Sequence, residues 1–316
     1  MNILLTGVAG FIASHTAEKL LNDGHEVVGI DEINDYYNVE WKQENLAKLK
    51  KYENFSFVQA DIRDLDSLEK IFSQNSFNAI MNLAGRAGVR PSIEEPLLYE
   101  ETNAKGTLNL LEMAKKYQIK KFILASSSSV YGNQQKVPFS EIDPVNEPIS
   151  PYAASKKSAE MYCHVYSHLY GIQSVCLRFF TVYGPNGRPD MAPYLFTEAI
   201  LKGKPIKKFG DGETKRDYTY IDDIVSGVVA SLKLENQFEV INLGNNQPVS
   251  LNEFISTLEE ITGLTMKIEQ LPMQPGDVEV TYADISKAQK LLDYQPKTSF
   301  KAGMTKFVAW YKASRV

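Results

Sequence analysis

The chain has 316 residues, of which 43% are hydrophobic and 23% charged, with a formal net charge of -5. That is the balance of an ordinary globular protein with apolar material for one large domain or two smaller ones, and the acidic excess argues against a nucleic-acid surface as its main function. The two cysteines, Cys163 and Cys176, lack paired spacing and sit in apolar surroundings, as free buried thiols of a reducing compartment do.

A strand-like run, Asn2-Ile3-Leu4-Leu5-Thr6, begins at once. No basic leader or long apolar stretch is evident, so neither a signal peptide nor a membrane span is expected, and a cytoplasmic location is. Gly7-Val8-Ala9-Gly10-Phe11-Ile12-Ala13 follows as a tight turn opening a helix, with apolar residues at Ile12, Ala17, Leu20 and Leu21. Asn22-Asp23-Gly24 stops that helix, and Glu26-Val27-Val28-Gly29-Ile30 reads as a second strand ending at Asp31. Glycines at such a turn let backbone approach a pyrophosphate at the helix N-terminus, where free N–H groups and the helix dipole attract it. Ala13 stands where a third glycine is common and is its mildest replacement. A carboxylate about 20 residues beyond the loop accepts hydrogen bonds from adenosine ribose hydroxyls. Asp31 is so placed, and it would repel a 2′-phosphate, which favours NAD over NADP.

The alternation continues through Phe55 to Ala60 leading to Asp61-Ile62, Ala79 to Leu83 leading to Ala84-Gly85, and Lys121 to Ala125 leading to Ser126 to Ser129. Helical segments are expected between them, near Asp66 to Ser73 and Thr102 to Tyr117. Repetition of this kind predicts an α/β fold, a doubly wound parallel sheet with helices on both faces. Ligands bind such sheets beyond the carboxyl ends of the strands, where Asp61, Ala84, Gly85 and Ser127 fall. Tyr152-Ala153-Ala154-Ser155-Lys156 comes next. On a helix its phenol and ammonium share one face, and the cation would lower the phenol's pKa from about 10. Tyr152 is then a candidate proton shuttle, with Ser127 holding a substrate alcohol against it and a nicotinamide taking the carbinol hydrogen.

These pieces, with Arg178-Phe179-Phe180-Thr181-Val182-Tyr183-Gly184-Pro185, Gly210 to Tyr218 and Pro275-Gly276-Asp277, resemble the extended short-chain dehydrogenase/reductase family over nearly the whole chain. Within it they are similar to the nucleotide-sugar epimerases. Asn34-Asp35-Tyr36-Tyr37, Ala87-Gly88-Val89-Arg90 and Thr181 to Met191 look like the UDP-glucuronate 4-epimerase group in particular. The chain departs from that group at Arg86, often glutamine there, and at Gln274, where many relatives have arginine.

The resemblance implies a Rossmann-like NAD domain over residues 1–180 plus 217–247 and a smaller nucleotide-sugar lobe over 181–216 plus 248–316. Cofactor contacts then fall on Gly7, Gly10, Phe11, Ile12, Asp31, Asp61, Ile62, Leu83, Ala84, Gly85, Asn103, Tyr152, Lys156 and Phe180. Substrate contacts fall on Ser127, Ser128, Ser129, Thr181, Arg188, Phe209, Arg216 and Asp277. By the same resemblance Arg216 meets the diphosphate, Phe209 the uracil, Asp277 the nucleotide ribose and Arg188 a sugar carboxylate. Dehydratases and decarboxylases of the family put an acidic residue just after the Ser/Thr, where this chain has Ser128 and Ser129, which favours epimerase chemistry at C4 of a UDP-sugar. Epimerisation of UDP-glucose or UDP-N-acetylglucosamine, and net-redox nucleotide-sugar chemistry, are the alternatives. A non-catalytic NAD-binding regulator would be favoured by loss of Ser127, Tyr152 or Lys156, and all three are present.

In the irregular region after Arg178, helix and strand are expected over Ile224 to Leu232 and Val240 to Leu243, and amphipathic helices over Ser250 to Thr262 and Lys301 to Tyr311. Ser250 is the expected N-cap, with Glu253 completing a capping box. The family commonly dimerises through two helices beside the sheet, here around Ile93 to Tyr117 and Tyr152 to Tyr170. His164 and His168 have chelating spacing without a third ligand, so no metal is expected, and His15 reads as helix packing.

Overall fold

The computed structural model describes residues 1–272 and 280–316. The chain lays down β1 (Asn2–Thr6), β2 (Glu26–Asp31), β3 (Phe55–Gln59), β4 (Ala79–Asn82), β5 (Lys121–Ser127) and β6 (Gln173–Phe179). It leaves through β7 (Thr181–Tyr183), β8 (Ile206–Phe209) and β9 (Lys215–Tyr220) and comes back as β10 (Phe238–Leu243). The main sheet has seven strands, in the order β10-β6-β5-β4-β1-β2-β3. All its neighbours are parallel. The doubly wound sheet expected from the sequence is what forms. β4 and β5 are buried along their full length, as strands covered on both faces are. In β1, Ile3 and Leu5 join one core and Leu4 the opposite one. The chain winds outward from β1 to β3, then restarts at β4 on the other side of β1. The loops after β1 and β4 therefore diverge and leave a crevice between them, where such sheets bind ligands.

The flanking helices are α1 (Phe11–Asn22), α2 (Val39–Leu49), α3 (Leu65–Gln74), α4 (Val89–Glu94), α5 (Pro96–Tyr99), α6 (Gly106–Lys116) and α7 (Pro151–Tyr170). α2 had no expected counterpart. Its buried face includes Lys42 and Asn45 beside Leu46 and Leu49, so no apolar period announces it. The helix expected over 102–117 starts with a π-helical turn, Glu100–Lys105, before α6.

A second lobe is built on β9, which pairs with β7, with β11 (Pro248–Ser250) and with β13 (Val280–Thr281). A separate pair joins β8 to β12 (Ile268–Leu271). Tyr183, Tyr218, Phe254, Phe300 and Phe307 form its aromatic core with α8 (Ala192–Leu201), α10 (Leu251–Thr262) and α12 (Phe300–Ser314). The Ser250 hydroxyl caps α10 by accepting the Glu253 N–H at 3.0 Å, as expected. α9 (Ile221–Ala230) and α11 (Ser286–Leu292) instead pack on the main-sheet core through Ile224, Val228, Ala288 and Leu292. Two differences from the expected division follow. The boundary at residue 217 falls inside β9, and the stretch around Ala283 to Tyr294 joins the first lobe's core. No helix was expected over those residues, and the sequence carried no sign of which core they fill.

Asp217 fastens the junction. Its buried carboxylate accepts N–H bonds from Asn245 (2.7 Å), Asn246 (3.0 Å) and Ala283 (3.1 Å), and the Thr219 hydroxyl at 3.0 Å.

Candidate active site

The crevice between the β1 and β4 loops has a cavity volume of about 200 Å³ and is lined by Gly7, Gly10, Phe11, Ile12, Asp31, Asp61, Ile62, Leu83, Ala84 and Gly85, all expected at a cofactor. Gly7 sits at φ +70°, and a Cβ there would lie 2.8 Å from the Ala84 Cα, so the turn admits only glycine. α1 has no side-chain cap and no acidic residue in its first turn. Its leading N–H groups and positive dipole end therefore face the crevice, a cradle that suits a pyrophosphate. Asp31 ends β2 at the crevice wall, where burial pushes its carboxyl upward against bonds from the Ile33 and Ala9 N–H groups (2.8 and 3.1 Å). Asp61 turns its carboxylate into a pairing with Arg63, whose Nε donates at 2.8 Å. Burial opposes that pairing, and the net result is a lowered carboxyl.

Ser127, at the end of β5, caps the short 3-10 turn Ser128–Tyr131. Its oxygen accepts the Ser129 N–H at 3.1 Å, and its hydroxyl donates to the Ser129 Oγ at 3.1 Å. The Ser127 hydroxyl lies near enough to the Tyr152 phenol to act on its acidity. Tyr152 lies in the first turn of α7, where Ser150 is the N-cap (accepting the Ala153 N–H at 3.1 Å) and Pro151 opens the helix. Burial raises the Tyr152 pKa, while the Ser127 hydroxyl and the Arg188 cation oppose the rise. The expected lowering by Lys156 is not seen here. The Lys156 ammonium is fully buried, donates to the Ala125 carbonyl at 2.8 Å and is itself brought down to about 8 by desolvation. It lies beside Gly85, where a Cβ would come within 2.9 Å of its Nζ.

Arg188 also lines the crevice. Its Nε donates to Asp190 Oδ1 at 3.0 Å and Nη2 to Asp190 Oδ2. Nη2 also reaches the Tyr36 hydroxyl oxygen at 3.3 Å, and the guanidinium lies 5.5 Å from that ring's centre.

Other expected site residues are placed differently. Asn103 spends its amide on the protein: it accepts the Arg86 N–H (2.8 Å) and donates to the Arg86 carbonyl (2.9 Å) and the Ser155 hydroxyl (3.0 Å). It shapes the crevice from the π-helical turn rather than presenting a free donor. The Phe180 ring is buried against Tyr131 and Phe139, so it is core and not wall. Thr181 opens β7 and is half-buried. Phe209 ends β8, and the Arg216 Nη1 on β9 donates to the Lys215 carbonyl at 2.9 Å; both stand in the second lobe, outside the lining of this crevice. Asp277 lies outside the described residues, as does Gln274.

Residues that the sequence left without a role also line the crevice: Glu32, Asn34, Tyr36, Tyr37, Lys42, Arg86, Ala87 and Thr102. The signals were the Asn34-to-Tyr37 and Ala87-to-Arg90 runs and the departure at Arg86, which carried resemblance but no chemistry. His15 stacks edge-on against Phe11, and its Nδ1 lies 2.9 Å from the Phe11 carbonyl oxygen, which is the helix packing expected. Both cysteines are free and buried. Among the described residues no group of three or more His, Cys, Asp or Glu is arranged to hold a metal, and no helix is long and apolar enough to cross a membrane.

Residues 4–307 match the family model described as GDP-mannose 4,6 dehydratase. A UDP-glucuronate 4-epimerase of Thermodesulfobacterium geofontis is 49% identical over 310 residues, 98% of this chain and 95% of that one. The solved structure of UDP-glucuronic acid 4-epimerase from Bacillus cereus in complex with UDP-glucuronic acid and NAD superposes with a TM-score of 0.90 at 39% identity, covering 99% of both chains. UDP-glucose 4-epimerase from Thermotoga maritima with UDP-glucose gives 0.91 at 36% identity, also covering 99% of both.

Proposed function

This chain belongs to the family described as GDP-mannose 4,6 dehydratase, within the extended short-chain dehydrogenase/reductases, and from that premise we propose that it is an NAD-dependent UDP-sugar 4-epimerase acting on UDP-glucuronate to give UDP-galacturonate. The observation that supports this best is that the Arg188 guanidinium, on the crevice wall, and the Ser127 hydroxyl both lie near enough to the Tyr152 phenol to oppose the rise in its pKa. Dehydration, which the family's description suggests, would need a general base beside Ser127. Ser128 and Ser129 are neutral hydroxyls and cannot serve.

The Gly7 turn and the uncapped α1 would hold the NAD pyrophosphate, and Asp31 the adenosine ribose. Bound there, NAD supplies a hydride acceptor that returns the hydride within the same turnover. Tyr152 takes the proton of the C4 hydroxyl while Ser127 orients the 4-oxygen. Lys156, beside Gly85, bonds the nicotinamide ribose. The resulting 4-keto sugar turns about its diphosphate linkage and presents its other face, and Tyr152 gives the proton back with C4 inverted. Arg216 holds the diphosphate, Phe209 the uracil and Thr181 the sugar. Asp277 is assigned to the nucleotide ribose from the sequence alone. A 4-keto uronate is a β-keto acid that loses carbon dioxide when its carboxylate charge drains into the carbonyl. Ion pairing by Arg188 keeps that charge on the carboxylate and the group out of alignment.

Two further features are part of the proposal. Ile93, Leu97, Met161, Val165 and Leu169 expose apolar side chains on α4, α5 and α7, which supports a homodimer through these helices. Free buried thiols suit a reducing cytoplasm.

The test is to incubate purified protein separately with UDP-glucuronate, UDP-glucose and UDP-N-acetylglucosamine and to read the products by NMR. UDP-galacturonate should form fastest, and Tyr152→Phe should lower kcat by about 10²–10⁴-fold. Faster turnover of either neutral sugar would replace the uronate assignment, and undiminished Tyr152→Phe activity would remove the proton-shuttle mechanism.

A further inference from the structure

We propose that Asp190 is an internal substitute for the sugar carboxylate: an incoming uronate must displace it from Arg188, and this exchange sets how strongly the site discriminates uronates from neutral hexoses. The proposal deepens the reading above and rests on it.

Arg188 offers a two-pronged guanidinium fork, the geometry that matches a carboxylate. In this structure the fork is already engaged by Asp190, through Nε at 3.0 Å and through Nη2. The two partners are anchored very differently. Arg188 is the more buried, with 20% of its side chain exposed against 45% for Asp190. Tyr36 holds Arg188 in place, with its hydroxyl oxygen 3.3 Å from Nη2 and its ring 5.5 Å from the guanidinium. Tyr36 is fixed in turn. Its hydroxyl donates to the Ala87 carbonyl at 2.7 Å, and its backbone N–H donates to Asn34 Oδ1 at 3.2 Å. Among the described residues, Asp190 has no side-chain hydrogen bond except to Arg188. The carboxylate can therefore leave for solvent, while the guanidinium stays at the crevice.

The charge count gives the consequence. With Asp190 in place the pair is neutral, so a hexose with an uncharged C6 hydroxymethyl group can bind beside it without stranding a buried cation. A uronate gains the fork only by expelling Asp190, and the cost of that exchange is subtracted from its binding. Asp190 thus favours tolerance of hexoses and moderates affinity for uronates.

The experiment compares wild type, Asp190→Asn, Arg188→Ala and the double variant, each saturated with NAD, with KM and kcat for UDP-glucuronate and UDP-glucose and a melting curve for each protein. Asp190→Asn should lower KM for UDP-glucuronate about fivefold and leave KM for UDP-glucose unchanged or raised. In the Arg188→Ala background the same substitution should have no effect on the uronate-to-hexose ratio, because Asp190 acts through Arg188. An unchanged or higher uronate KM in a folded Asp190→Asn protein overturns the proposal. So does an equal effect of Asp190→Asn with and without Arg188, which would mark plain charge repulsion. If Arg188→Ala leaves the uronate KM unchanged, Arg188 is not the carboxylate contact, and the underlying reading fails along with this one. If Arg188→Ala raises it and Asp190→Asn does not lower it, only the role of Asp190 fails.

Discussion

The acidity of Tyr152 is decided by its surroundings more than by its i+4 neighbour. Burial pushes the phenol up, and of the cations nearby it is Arg188 that pulls it down, while Lys156 faces Ala125 and Gly85. A cation favours phenolate, so its removal raises the phenol pKa and moves the pH needed for the reactive form upward. Arg188→Ala should therefore shift the acid limb of kcat/KM for UDP-glucose to higher pH by about 1 unit. The same variant should weaken UDP-glucuronate binding and release 4-keto-pentose, visible by NMR. A limb that stays put, or moves to lower pH, removes Arg188 from the electrostatics of Tyr152. The Tyr-x-x-x-Lys spacing revealed which residues share a helix face, but spacing alone is blind to depth of burial. Depth is what reverses the expected direction for Tyr152.

At the level of elements, α7 is tied to the sheet by a buried charge pair. Arg178 on β6 donates to Glu160 on α7 through Nε at 2.8 Å and Nη2 at 2.9 Å, and the Ser126 hydroxyl donates to the same carboxylate at 2.7 Å. Both charged side chains are only 2% exposed. Ser126 precedes Ser127 and Glu160 lies two turns beyond Tyr152, so the pair sets the distance between the strand and helix that carry the proton-handling groups. Burial pushes the Glu160 carboxyl up, but the Arg178 and Ser126 bonds outweigh it and the net shift is downward. A depressed carboxyl stabilises the fold fully above its unfolded value, about pH 4.3, and loses that contribution as pH falls through the folded value. Glu160→Gln should cost about 3–5 kcal/mol at pH 7, read from urea midpoints, because it strands the Arg178 charge. The difference from wild type should shrink in acid. A difference that is constant from pH 7 to pH 3 would show that packing, not charge, is what is lost. Elements with apolar period or turn chemistry, such as β1, α1 and α10, were legible in the sequence because each uses local rules. α2 and the π-helical turn were not, since they carry polar residues on their buried faces whose contacts lie outside the element, Lys42 to Asn34, Asn45 to Ala9 and Asn103 to Arg86.

For the whole molecule, the exposed stripe on α7 and its neighbours leads to a prediction about assembly. Met161, Val165 and Leu169 recur at intervals of four along one helix face and are 51%, 41% and 60% exposed, and Leu97 on α5, which packs against α7, is 78% exposed. The protein should sediment as a dimer, and Leu97→Glu with Leu169→Glu should yield a folded monomer. A wild-type monomer at micromolar concentration would dismiss the interface. The allocation of chain to lobes was only partly legible, because pairing of β9 with three other strands and packing of α11 on the far core are tertiary choices with no local signature.

The carboxylate of Asp217 gathers donors from β9, from the link between β10 and β11 and from the residue two beyond β13. Each of these stretches returns from a separate excursion, so cutting one would leave the others laced together. Jaws sewn at the back in this way resist parting at the hinge. A guest that must show its reverse side cannot wait for them to yawn. It has to somersault on its own rotatable bonds, inside walls that the Asp217 bonds hold together.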